Sequence, residues 1–194
     1  MGQRLNIEIH RKGQALANAY YHWSAYTQSA LELVQEVLSA MDEVTEADPV
    51  IEAVRLLEAT EAGMAPDEKE RVNQVMDASI FKNYVSRNSG IISITDKGME
   101  ETRLWQEGRV IIDLDEQMIQ FDVCYLDELG NYEDDEELYE EMKEKFDAYS
   151  THDQDIRSFS FDELGEVMGL VDEVIDCGEH GYKLENGYII GLIA

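Results

Sequence analysis

Alternation at the start of the chain limits the fold more than any other feature. In RLNIEIHRKG, Leu5, Ile7 and Ile9 fall on one side, and Arg4, Asn6, Glu8 and His10 on the other. That is the period of a strand with one buried face. Lys12-Gly13 then offers a turn, and Ala15 to Tyr21 can return as a second strand. Leu31, Val34, Leu38 and Met41 recur at helical spacing and predict an amphipathic helix over 28–43, capped by Ser24 or Thr27. Asp48-Pro49 opens a second helix, with Pro in the first turn where its missing N–H costs little. Val50, Val54 and Leu57 line its inner face, and Gly63 ends it. Pro66 to Ala78 reads as a third helix, with Val72, Val75 and Met76 inward.

The period then changes. Gly90-IISIT reads as a short buried strand, and Met99 to Gln106 as a helical turn. Arg109-VIIDL and Met118-IQFDVCYL predict two strands joined at Asp115-Glu116-Gln117. Ser160-Phe-Asp-Glu163 is a capping box that launches a helix through Leu164, Val167, Leu170, Val171 and Val174 to Gly178. Tyr182-Lys-Leu, Asn186-Gly187 and Tyr188-IIGLIA make a terminal hairpin, because Asn-Gly is the preferred pair for a type I′ turn. The expected class is α+β: an N-terminal β-hairpin and helices, then a mixed or antiparallel sheet with a C-terminal β-hairpin. The 194 residues, 44% of them hydrophobic, fit one domain over 1–194. It would hold a helical subregion over 28–80 and an acidic helical segment over 127–150. No internal repeat is visible. The strand over 188–194 is apolar at nearly every position, so it should be central or covered, either inside the fold or at a homodimer interface.

Charge narrows the partners. The formal net charge is −28, from 43 acids and 15 bases. Residues 97–194 carry 28 acids and 7 bases, three quarters of the excess. Such a field repels nucleic acid and anionic membrane and draws in basic surfaces. Cys124 and Cys177 are too few for a secreted disulfide framework, which points to a reducing cytoplasm. The first residues show no apolar signal core, and Asn6 stands where a myristoylation motif wants Ser or Thr. No apolar run approaches the ~20 residues of a membrane span.

The acids peak at residues 133–141, EDDEELYEE, where seven of nine side chains are carboxylates. Leu138, Met142, Phe146 and Tyr149 recur at helical spacing, giving 134–149 one apolar stripe and a solvated acidic remainder. The acids gather in the first turns, where the helix dipole favours them, and Glu141 can pair with Lys145. Nine helical residues rise about 13.5 Å, so seven charges give roughly one per 1.9 Å. Duplex DNA carries one per about 1.7 Å of axis. A groove built for phosphates would meet a similar field here. Small, very acidic proteins without catalytic motifs resemble phage-borne nucleic-acid mimics. The stretch LANAYYHWSAYTQSALELVQEV, over 16–37, also resembles phage-encoded anti-CRISPR proteins directed at Cas9. The resemblance implies a non-enzymatic inhibitor that binds Cas9 with its guide RNA, needs no cofactor and touches no nucleic acid directly. The residues expected to stand in for phosphates are Glu133, Asp134, Asp135, Glu136, Glu137, Glu140 and Glu141, with Tyr20 and His22 as a secondary contact.

Other constellations carry less. Tyr20, Tyr21, His22, Trp23 and Tyr26 form an aromatic cluster. Aromatics of this kind serve interfaces as well as cores, and alternation puts Tyr20 and His22 on one face and Tyr21 and Trp23 on the other. Cys177 and His180 are three apart, as in a thiolate nucleophile with its base or half a metal site, but no further ligands have recognisable spacing. Asp113-Leu-Asp115 opens like a calcium loop, yet Met118 and Cys124 occupy the positions that need Gly and Glu. No phosphate-binding, zinc-protease or serine-hydrolase motif is present. The alternatives are a Cys/His or metal-dependent enzyme and an acidic oligomeric regulatory protein.

Overall fold

The computed structural model describes residues 4–22, 24–60, 85–86, 91–123, 136–150, 156–178, 182–185 and 188–192. Strands β1 (Leu5–Arg11) and β2 (Gln14–Tyr21) form the expected hairpin. Arg11 pairs with Gln14, and both turn residues have positive φ, 53° at Lys12 and 70° at Gly13. That is the two-residue turn whose twist suits the strands around it. Helices α1 (Thr27–Ser39) and α2 (Pro49–Glu58) follow. Then come β3 (Val85–Ser86), β4 (Ile91–Ser93), α3 (Asp96–Arg103), β5 (Gly108–Asp113) and β6 (Met118–Asp122). Last are α4 (Glu136–Asp147), β7 (Arg157–Ser160), a 3-10 turn (Phe161–Glu163), α5 (Leu164–Gly178), β8 (Tyr182–Glu185) and β9 (Tyr188–Leu192).

Seven strands make one mixed sheet in the order β3-β4-β2-β1-β5-β6-β7. Its centre is the parallel pairing of β1 with β5, and every other pairing is antiparallel. The class is therefore α+β. One face carries Leu5, Ile7, Ile9, Ala17, Ala19, Tyr21, Val110, Ile112, Ile119, Phe121 and Phe159, all buried beneath residues of α1, α2, α4 and α5. The other carries Asn6, Glu8, Asn18, Tyr20 and Ser93, with Met99 and Thr102 of α3 also buried.

Several expectations shift. Neither Ser24 nor Thr27 caps α1: Tyr26 is the N-cap, without a side-chain bond, and Thr27 is already helical. The buried face of α2 is Ala53, Leu56 and Leu57, while Val50 and Val54 are half-buried. Asp48 caps it, accepting from the amides of Val50 and Ile51. Helix α3 starts three residues before the expected Met99, because Thr95 caps it by accepting from Gly98 N. The strand expected over 188–194 does not join the main sheet: β9 pairs with β8 in a separate two-stranded sheet, and residues 193–194 lie outside the described residues. Gly63 and the helix expected over Pro66 to Ala78 lie outside the described residues.

Candidate functional site

Of the seven proposed phosphate surrogates, Glu136, Glu137, Glu140 and Glu141 lie on α4, and all four are exposed. Glu133, Asp134 and Asp135 lie outside the described residues. Helix α4 packs on α5 through Tyr139 and Phe146, with Met142 and Tyr149 half-buried beside them. This rotates the apolar stripe from its expected place: Tyr139 takes the inner position, and Leu138 is 42% exposed. The rotation gathers the acids. At about 100° per residue, Glu136, Glu137, Glu140, Glu141, Glu144 and Asp147 span an arc of about 140°, opposite the buried stripe.

Those six carboxylates cover about 16.5 Å of helix, or one per about 3 Å. That is near the ~3.4 Å phosphate spacing along one strand of a duplex, and sparser than the sequence run implies for both strands. Two bases temper the field. Lys145 Nζ lies 3.0 Å from Glu141 Oε1, and Lys143 lines the same side. Asp147 is held by Arg157, whose guanidinium also sits 4.2 Å from the centre of the Phe146 ring. An open trough of about 550 Å³ runs along the helix, lined by Glu137, Glu140, Glu141, Lys143, Glu144 and Asp147.

The secondary contact needs correction. Tyr20 is 1% exposed. Trp105, just past α3, meets its ring edge-on at 6.4 Å, and its hydroxyl lies 2.8 Å from His22 Nδ1. The chain after α3 folds over this face, so Tyr20 offers no surface, and burial pushes its pKa up. His22 remains half-buried, and Trp23 lies outside the described residues. Cys177 sits in the last turn of α5, and its proposed partner His180 lies outside the described residues. Among the described residues, no three His, Cys, Asp or Glu side chains group to hold a metal. No described helix is long and apolar enough to cross a membrane.

Sequence reading missed an ion cluster on the second sheet face. Glu8 of β1 is fully buried. Arg103 Nε and Nη2 donate to its two oxygens at 2.7 and 2.8 Å. His10 Nε2 lies 2.8 Å from Oε2, and Arg109 Nε 3.9 Å from Oε1. Burial pushes the carboxyl up, but hydrogen bonds from His10 and Arg103 and the two arginine charges outweigh it, leaving a pKa of about 2. A carboxylate so enclosed anchors α3 to the sheet. Alternation places Glu8 on the second face of β1, but nothing in the spacing reveals that Arg103, 95 positions away, covers it.

No family model, curated protein or solved structure matches the chain.

Proposed function

We propose that the chain is a non-enzymatic inhibitor that places α4 in the basic nucleic-acid channel of a defence nuclease. The sequence resemblance names that nuclease as Cas9 with its guide RNA, in a phage-infected bacterium. The observation that carries the reading is the acidic face of α4: five exposed carboxylates, Glu136, Glu137, Glu140, Glu141 and Glu144, within one arc, near the pitch of a single phosphate strand, with Asp147 at its end held by Arg157. Helix packing alone needs only Tyr139, Met142, Phe146 and Tyr149, and leaves the other face free to be any polar residue. Glutamine and serine, or acids interleaved with lysine, would solvate it without the mutual repulsion of like charges. A cationic groove relieves that repulsion and releases counterions from both surfaces.

The test is inhibition of DNA cleavage by the guide-loaded nuclease, comparing the native chain with the variant Glu136→Lys, Glu137→Lys, Glu140→Lys and Glu141→Lys. None of the four side chains is buried, so circular dichroism should be unchanged. Binding should weaken by about a hundredfold or more, each reversal costing on the order of 1 kcal/mol. Equal inhibition by both proteins rules out the mimic.

A further inference from the structure

The polar layer beneath α3 plays no part in the proposed inhibition, and it holds a feature of its own. Asn18 on β2 and Ser93 on β4 are both fully buried. They stand directly opposite one another across the antiparallel pair. Side chains so placed have Cβ atoms about 5 Å apart. The Asn18 amide is oriented by α3: its Nδ2 donates to Thr102 Oγ1 at 2.8 Å, and that hydroxyl donates to the carbonyls of Gly98 and Met99. The other arm of the amide, Oδ1, has no hydrogen-bond partner among the described residues, and neither has Ser93 Oγ. Asn6, on β1 and the same sheet face, repeats the pattern. Its Nδ2 donates to Gln106 Oε1 at 3.0 Å while its Oδ1 is unpartnered. Buried oxygens left so are costly, and here two of them are neighbours that do not bond to each other.

We infer that Asn18 and Ser93 form an internal binding site for one water molecule, closed over by α3. The charges around it select the ligand. Glu8 stands opposite Asn18 on β1, and against its single carboxylate are set the guanidiniums of Arg103 and Arg109. The excess positive charge disfavours sodium, potassium or ammonium. The bare Asn18 oxygen disfavours an anion. A neutral molecule that both donates and accepts satisfies the pair: water gives an O–H to Asn18 Oδ1 and takes the Ser93 O–H on a lone pair. These are two of the two to four bonds that buried waters make.

Magnetic relaxation dispersion of solvent nuclei, which counts long-lived internal waters, tests this on the full chain, with a high-resolution crystal structure beside it. The native protein should show a bound water between Asn18 Oδ1 and Ser93 Oγ. Ser93→Ala removes one partner without adding volume, and should lower the dispersion amplitude by one water equivalent. Asn18→Leu should do the same if it folds. An amplitude unchanged in Ser93→Ala overturns the inference, as does electron density showing a direct Ser93–Asn18 hydrogen bond. An amplitude that falls in ammonium chloride but not in sodium chloride also overturns it, by identifying a cation as the occupant.

Discussion

At the scale of single residues, Glu8 holds the most consequence per atom. A buried carboxylate deprived of its partner is penalised far more than the intact pair is rewarded. Arg103→Ala should therefore destabilise by about 3 kcal/mol, the low end for a broken buried pair, because Arg109 and His10 remain. Urea unfolding measures it, and Glu8→Gln beside it should cost less, since no charge is then stranded. Acid should expose the same group. Its folded pKa of about 2 lies below the ordinary 4.5, so the stability it contributes is whole above pH 4.5 and is lost as pH falls toward 2. That contribution is about 3 kcal/mol. In Arg103→Ala the loss should begin at higher pH, because the carboxyl is less strongly held.

At the scale of elements, the sequence was most legible where a local rule has no competitor. Lys12-Gly13 makes its turn because a twisted two-residue loop needs positive φ twice, and glycine takes it freely. Nothing lies within 4 Å of a Cβ placed on Gly13, so Gly13→Ala should cost about 1 kcal/mol from the backbone alone, readable as a lowered thermal midpoint. The capping box also forms: Glu163 accepts from both the amide and the hydroxyl of Ser160, and α5 follows. Periodicity did less well on α4. Leu138 and Tyr139 are adjacent, either could start the stripe with Met142 and Phe146, and only the contact with α5 selects the tyrosine. Phe146 is fully buried under Arg157, so Phe146→Ala should cost about 3–5 kcal/mol and melt α4 first, as hydrogen exchange would show. The face with Asn6, Glu8 and Asn18 was legible as polar but not as buried. Its cover, α3, comes from far along the chain and carries a low-hydrophobicity sequence, DKGMEETR.

At the scale of the whole molecule, a net charge of −28 sets two responses to salt against each other. Screening should relieve self-repulsion, so the urea midpoint should rise between 10 mM and 500 mM sodium chloride. Affinity for a basic partner should fall over the same range. A partner whose binding strengthened with salt would be held by apolar contact, contrary to the mimic reading. The sheet has a further consequence, one of timing. Its two central strands run parallel, with Arg4 and Glu107 joined across 103 positions. At roughly 5–20 residues per second, a ribosome needs several seconds or more to make β5 after β1. The first hairpin must wait that long without its inner neighbour, the β1 edge that will pair with β5 open to whatever chaperone meets the nascent chain.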